Sequence, residues 1–247
     1  MIEPATELLL IKTALAVPLG ATVGSFAATA TLRMAEGRGV IAGRSRCDGC
    51  ARLLGWAETV PFLGYAVSLG QCRSCGARIN GFHLLGEAFG ALALTLPLLM
   101  LDGIEGVVVA VLCLLLLVSA LIDCKTLRLP DILTAGIAIC AAALALVEGH
   151  IISGLIACVL SALALFAIKL WLEHRHAKPM LGWGDIKLVA ALGLWLGVRL
   201  PAMMALASII GLVVVLATKR KTPVPFGPMI AAASFITGVC VPEGWLA

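Results

Sequence analysis

Two acidic residues stand out because each lies at the edge of an apolar segment. Asp185 directly follows Gly182-Trp183-Gly184 at the mouth of one apolar run, and Asp123 ends another run in Ala-Leu-Ile-Asp-Cys-Lys. An ionised side chain at the bilayer centre costs about 2.5 to 3.5 kcal/mol on insertion scales, so acids near hydrocarbon usually serve transport, proton transfer or catalysis. Both aspartates are therefore candidates for chemistry.

Two carboxylates that lie a few ångströms apart can hydrolyse a peptide bond together. In a medium of low dielectric constant the two cannot both ionise, so one keeps a proton while the other serves as a base. The base takes a proton from a water molecule held between them, and the protonated partner polarises the scissile carbonyl. This chemistry needs neither a covalent intermediate nor a catalytic metal.

Other roles for the two acids remain open. Asp185 alternatively caps the N-terminus of its helix, and Asp123 alternatively pairs with Lys125 or Arg128 at the membrane interface. A transporter would use the same acids as proton or cation relays, although the chain has no convincing internal repeat. A zinc-stapled membrane scaffold would keep its function with both acids changed to asparagine.

Four cysteines in one loop form a pattern typical of a metal site. Cys47 and Cys50 form one Cys-x-x-Cys pair, Cys72 and Cys75 form another, and their separation is close to that of four-thiolate zinc sites. Two disulfides are the alternative, but such bonds are rare in the reducing cytosol, where the charge pattern below places this loop. Because four thiolates leave no open coordination position, this zinc would be structural.

The elements that must position these residues are membrane helices. Hydrophobic residues make up 61% of the 247 residues and charged residues 13%, and the mean hydropathy is +1.08, which is more apolar surface than a soluble domain can bury. Three Gly-x-x-x-Gly motifs, which begin at Gly20, Gly86 and Gly193, predict close helix packing. Apolar runs long enough to cross a bilayer predict eight spans, at about residues 8–32, 82–101, 104–122, 131–147, 151–171, 185–199, 201–217 and 226–242.

Lysine and arginine predict the orientation of these spans. Basic residues gather in the long first loop and in alternate later loops, which the positive-inside rule makes cytoplasmic. Two crossings separate Asp123 from Asp185, so both lie at the cytoplasmic edge of the bilayer. The net charge of +4 then reflects topology and attraction to anionic membrane lipid, and no nucleic-acid partner is predicted. The basic residues of these loops are Arg33, Arg38, Arg44, Arg46, Arg52, Arg73, Arg78, Lys125, Arg128, Arg175, Lys178, Lys219, Arg220 and Lys221, and Arg199 is the one exception among the other connections.

Together, these motifs resemble those of the bacterial type IV prepilin peptidases. The resemblance runs through most of the chain, and the order and spacing of the motifs agree. A presenilin-like protease also uses Gly-x-Gly-Asp, but the paired cysteines and the Pro-Phe-Gly-Pro segment favour the prepilin class. The matching residues are Gly24-Ser25-Phe26, the four cysteines, Glu87, Asp123 with Leu129-Pro130-Asp131, residues 182–188 and Pro225-Phe226-Gly227-Pro228.

The resemblance implies an intramembrane aspartic protease of the bacterial inner membrane, with Asp123 and Asp185 as its catalytic pair. It implies cleavage of a basic leader from type IV prepilins or type II secretion pseudopilins at the cytoplasmic face. It also implies N-methylation of the new terminus with S-adenosylmethionine, by residues that it does not assign. The fold it implies is an all-α polytopic membrane protein of about eight transmembrane helices with a small cytoplasmic zinc-binding loop domain. The expected domains are a first transmembrane helix at 1–33, the four-cysteine zinc module at 34–80 and a seven-helix membrane peptidase domain at 81–247.

Overall fold

A computed structural model describes residues 4–40, 43–176, 181–218 and 224–241. Helices make up most of these residues, and no β-strand occurs among them beyond two isolated bridges in the cysteine loop. The predicted all-α class is therefore confirmed. The helices are α1 (Pro4–Ala35), α2 (Trp56–Thr59), α3 (Leu63–Val67), α4 (Gly81–Met100), α5 (Gly103–Thr126), α6 (Asp131–Val147), α7 (Ile151–His176), α8 (Trp183–Leu196), α9 (Leu200–Thr218) and α10 (Gly227–Phe235).

All eight predicted apolar runs are helical, with ends that differ by a few residues from the prediction. Within the described residues, five helical stretches are long and apolar enough to cross a membrane: Thr6–Ala35, Gly81–Met100, Gly103–Thr126, Ile151–Arg175 and Trp183–Thr218. Two further apolar helices, Asp131–Val147 and Gly227–Cys240, are shorter. The protein is thus a multi-pass membrane protein, and eight crossings stay a prediction.

The backbone breaks inside the long stretch from Trp183 to Thr218. Gly197 has φ of 49° and ψ of −120°, a conformation that is open to glycine but strained for other residues, and a short 3-10 turn follows it. This break separates α8 from α9 close to the boundary that the sequence predicts. The hydrogen-bonding pattern also changes after α10, where the helix continues as a π-helical turn over Ile236–Cys240.

The chain divides into two compact units, Met1–Leu99 and Met100–Ala247. In the first unit, α1 and α4 pack backbone against backbone through the predicted glycine motifs. A Cβ on Gly24 would lie 1.9 Å from the carbonyl oxygen of Gly86, and a Cβ on Gly20 would lie 2.3 Å from that of Gly90. Only glycine allows this approach, so the predicted close packing is confirmed for these two motifs.

The second unit is a helix bundle around a tightly packed core. α6 packs against both α5 and α8, α7 packs against α8, and α10 packs against α5 and α9. The Trp195 ring of α8 is 1% exposed and fills the space that a side chain at Gly238 would need, since a Cβ there would lie 2.2 Å from the ring. This bundle holds the ends of α5 and α8, which carry the two aspartates.

Candidate functional site

Asp123 lies in the last turn of α5 and is 6% exposed. α5 ends at Leu127, which adopts the left-handed conformation and donates its backbone N–H to the carbonyl oxygen of Asp123 at 3.0 Å. The Asp123 side chain in turn accepts a buried hydrogen bond from the backbone N–H of Gly227, at 2.9 Å from Oδ2. The carboxylate is thus fixed by the start of α10, the element that carries the Pro-Phe-Gly-Pro segment.

Asp185 lies in the first turn of α8, three residues after its N-cap Gly182. The Gly182 backbone interacts with the Asp185 carboxylate, as expected for an acid at this position of a helix. Gly184 lies against Leu129 of the segment between α5 and α6, where a Cβ would come within 2.8 Å of the Leu129 Cβ. The Gly-x-Gly pattern therefore lets the residue before Asp185 approach the segment that follows Asp123.

The two carboxylates are close enough to interact electrostatically. In addition, α6 and α10 each pack against both α5 and α8, the helices that carry the two acids. The helix-capping interaction of Asp185 is compatible with this pairing, because a capping carboxylate keeps lone pairs for other partners. Two carboxylates that come within hydrogen-bonding distance of one water molecule can activate it and polarise a carbonyl.

A salt bridge connects two of the motifs around this site. Lys187 Nζ lies 2.7 Å from Asp131 Oδ1, so the helix that carries Asp185 is joined to the first turn of α6. Both side chains are at least half exposed. Lys187 thus interacts with the neighbouring helix α6.

The four predicted zinc ligands lie together in the first unit. Their Sγ atoms are all within 4.8 Å of one another, with 3.7 Å between Cys47 and Cys75 and 4.0 Å between Cys50 and Cys72. A tetrahedral zinc ion with Zn–S bonds of about 2.3 Å would separate its ligands by about 3.8 Å. A disulfide requires an S–S distance of about 2.05 Å, so the geometry favours the metal over the disulfide alternative.

The two cysteine pairs have the same local fold. Each pair is bracketed by an isolated antiparallel bridge, Arg46 with Leu53 and Gln71 with Arg78. The first cysteine of each pair accepts a backbone hydrogen bond at its carbonyl from the residue four positions later, Ala51 or Gly76, and both of these residues have positive φ. Such turns direct backbone N–H groups toward the first sulfur, as seen at Cys47, whose Sγ accepts from Gly49 N at 3.3 Å.

The environment of one of the four cysteines, Cys72, favours its thiolate form. Hydrogen bonds from the backbone N–H groups of Ser74 and Cys75 lower the pKa of the Cys72 thiol to about 6. Beside this cluster, Arg52 Nη2 contacts Glu58 Oε1 at 2.6 Å, and this side-chain hydrogen bond lowers the pKa of Glu58. The module brings four sulfur atoms from two similar knuckles close enough together to hold a metal ion.

Glu87 is a buried acid at the centre of the first unit, 8% exposed. Its Oε1 accepts from Ser25 Oγ at 2.9 Å, and its Oε2 accepts from the backbone N–H of Phe62 at 2.9 Å. Phe62 has φ of 60° and ψ of −47°, an unfavourable conformation for a side chain of this size that costs about 1 to 3 kcal/mol. Glu87 therefore ties α1 and the cysteine loop to α4, a connection that the sequence does not signal.

A cavity of about 620 Å³ opens beside Glu87. Its volume falls within the range of about 300 to 1,000 Å³ that is typical of small-molecule sites. The cysteine knuckles form part of its wall, and charged and aromatic side chains face it. Among the lining residues are Ser25, Arg33, Arg46, Tyr65, His83 and Glu87.

Two protein-family models match the chain. Residues 19–101 match the bacterial peptidase A24 N-terminal domain, and residues 110–216 match the type IV leader peptidase family. The first region holds the four cysteines and Glu87, and the second holds Asp123 and Asp185. No solved structure matches the chain.

Several curated proteins are similar to the chain over most of its length. It is 36% identical over 208 residues to a protein of Burkholderia pseudomallei named prepilin leader peptidase/N-methyltransferase, covering 78% of this chain and 66% of that protein. A Klebsiella pneumoniae protein of the same name is 35% identical over 184 residues, covering 72% and 79%. An Escherichia coli protein named type 4 prepilin-like proteins leader peptide-processing enzyme is 32% identical over 203 residues, covering 78% and 74%. The chain thus spans about two thirds to four fifths of the length of these relatives.

Proposed function

We propose that this protein, which belongs to the type IV leader peptidase family, is an aspartic endopeptidase that removes the leader peptide of type IV prepilins or type II secretion pseudopilins. The observation that carries the proposal is the pair of acids at the ends of α5 and α8, within the region that matches this family. The transporter alternative has no support from the comparisons. The names of the relatives also support N-methylation of the cleaved product.

In the proposed reaction, Asp123 and Asp185 share one proton. The ionised carboxylate takes a proton from water as the water oxygen attacks the scissile carbonyl, and the protonated carboxylate donates to the carbonyl oxygen. Collapse of the tetrahedral intermediate breaks the C–N bond, and a proton passes to the departing amine. The Gly227 N–H holds Asp123 in place through these steps.

The site would act on a substrate that enters from the membrane edge. We place the cysteine loop and both aspartates on the cytoplasmic side of the bacterial inner membrane, on the basis of the distribution of lysine and arginine. A prepilin has a basic leader followed by an apolar helix, so its cleavage point would lie at this depth. Anionic lipid would concentrate the leader near the enzyme.

The four cysteines would hold a structural zinc ion. Their donor set, four cysteine sulfurs within 4.8 Å of one another, suits zinc and would leave no position for a substrate. We propose that Cys47, Cys50, Cys72 and Cys75 fold residues 34–80 into a zinc module, and that the other domains are a first transmembrane helix at 1–33 and a seven-helix peptidase domain at 81–247. A loop this short has little core of its own, so the metal would supply much of its stability.

The cavity beside Glu87 is our candidate for the S-adenosylmethionine site. S-adenosylmethionine carries a cationic sulfonium and amine, an anionic carboxylate and an adenine ring. When the cofactor is bound, its sulfonium supplies the methyl group. The cavity offers a matching set: the Glu87 carboxylate for positive charge, Arg33 and Arg46 for negative charge, and the Tyr65 ring for stacking.

A single assay tests the proposed function. The purified full chain in liposomes is incubated with a model prepilin, with and without S-adenosylmethionine, and the product is analysed by mass spectrometry. We expect loss of the leader in both reactions and the added mass of one methyl group on the new N-terminus only with S-adenosylmethionine. An uncleaved prepilin, in a preparation shown to be folded, would contradict the proposal.

A further inference from the structure

Lys169 is a buried cation within an apolar helix. It lies in α7, in a stretch apolar enough to cross a membrane, and yet it is 5% exposed. Its neighbours Ile168 and Leu170 are 47% and 52% exposed, so the lysine points toward the protein while they do not. A buried ammonium near hydrocarbon is costly unless it is paired, which makes its partners informative.

The partners of Lys169 lie at the entrance to α8. Its Nζ contacts the Glu173 carboxylate one turn along α7 and donates to the Leu181 carbonyl oxygen at 2.9 Å. The same atom lies 5.3 Å from the centre of the Trp183 ring, within the range of a cation–π interaction. The Phe166 ring packs on Trp183 with 5.6 Å between ring centres.

These contacts hold the segment that positions Asp185. Leu181 and Trp183 flank Gly182, the N-cap of α8, at which no side chain caps the helix among the residues described. The Leu181 carbonyl precedes the N-cap of the helix, so it accepts no hydrogen bond within the helix. On the other side, Gly184 lies against Leu129. The Gly-x-Gly-Asp segment is thus held between Lys169 and Leu129.

We propose that Lys169, with Glu173 as its counter-ion, is a positioning residue that sets Asp185 against Asp123. The proposal rests on the proposed peptidase function. Without the ammonium, the Leu181 carbonyl loses its donor and Trp183 loses its cation, so the first turn of α8 opens more often. Rates of this kind of chemistry fall by about 100-fold for a displacement on the order of 1 Å.

The first test separates kcat from KM for leader cleavage. Lys169→Met keeps the length of the side chain and removes its charge, and we expect kcat to fall about 10- to 100-fold with little change in KM. Lys169→Arg keeps a donor and a cation that stacks on Trp183, and we expect it to restore most of kcat. Lys12→Met is the matched control, since Lys12 also donates to a helix carbonyl, that of Leu98 at 3.0 Å, in the other unit.

The second test does not depend on activity. Amide hydrogen exchange is followed by mass spectrometry on peptides that cover residues 183–188 and, as an internal reference, residues 131–147. We expect Lys169→Met to raise the exchange rate of the first peptide and leave the second unchanged, and Lys169→Arg to behave like the wild type.

The outcomes distinguish this inference from the proposed function. Wild-type exchange at residues 183–188 in Lys169→Met would overturn the inference, whether or not the protein cleaves prepilin. Faster exchange there together with an undiminished kcat would also overturn it, since Lys169 would then hold the helix without affecting the acid. Inactivity of the wild type would instead contradict the peptidase function.

Discussion

The backbone N–H of Gly227 donates to Oδ2 of Asp123 at 2.9 Å, across 104 residues of sequence and in the buried interior of the second unit. A Cβ on Gly227 would lie 2.8 Å from the same oxygen. The two residues therefore fit each other only if residue 227 is glycine. This contact joins the Pro-Phe-Gly-Pro segment to one of the two candidate catalytic acids.

Gly227→Ala is predicted to displace the Asp123 carboxylate. The added methyl group must push the oxygen away or break its hydrogen bond, so we expect leader cleavage to fall by about 10-fold or more. Cleavage rates of a model prepilin, measured at equal amounts of folded protein, check this. Gly211→Ala is the control, because its Cβ would meet atoms no nearer than 3.7 Å. Equal rates for the two variants would show that Asp123 does not depend on Gly227.

The sequence supports a prediction of where the two acids lie, but it could not predict this contact. Hydropathy and loop charge predict that Asp123 and Asp185 lie at the same membrane edge, because both are local properties of the chain. The Gly227 contact depends on how α10 packs against α5, which no local pattern encodes. The contacts of Lys169 could not be predicted either. In a hydropathy scan this residue only lowers the hydrophobicity of α7, and its contacts Leu181 and Trp183 lie near the start of α8.

The cysteine module and Glu87 show the same difference between local patterns, which sequence predicts, and long-range contacts, which it does not. The Cys-x-x-Cys spacing alone predicts the cluster, because each knuckle is a local turn. Glu87, in contrast, contacts Ser25 and Phe62, which are 62 and 25 residues away in sequence. The sequence shows only that Glu87 is an acid within an apolar run, and its two partners and the cavity beside it are seen only in the fold.

The Lys187–Asp131 pair is predicted to contribute little to stability. Both side chains are at least half exposed, and exposed ion pairs typically contribute about 0.2 to 1 kcal/mol. A double-mutant cycle with Lys187→Met and Asp131→Asn, followed by denaturant unfolding in detergent, measures the coupling. A coupling well above 1 kcal/mol would show that the pair is shielded from solvent by the membrane or a partner.

Metal analysis is predicted to find about one zinc ion per chain. Cys72→Ser removes one thiolate from the cluster, so we expect lower zinc content and faster proteolysis within residues 44–80. Elemental analysis of the purified protein and limited trypsin digestion measure both effects. Cys140→Ala serves as the control, since Cys140 lies in α6 outside the cluster. A wild-type protein that binds no zinc and still resists trypsin would contradict a structural metal.

The most direct test of the central claim compares leader cleavage by the wild type, Asp123→Asn and Asp185→Asn at equal amounts of folded protein. Each substitution keeps the shape of the side chain and removes its ability to ionise, and Asp131→Asn is the control for loss of an acid elsewhere in the same unit. A gel shift of a model prepilin in liposomes reports cleavage. We expect cleavage by the wild type and Asp131→Asn and none by the other two variants, whereas cleavage that survives at either Asp123→Asn or Asp185→Asn would contradict the aspartic dyad.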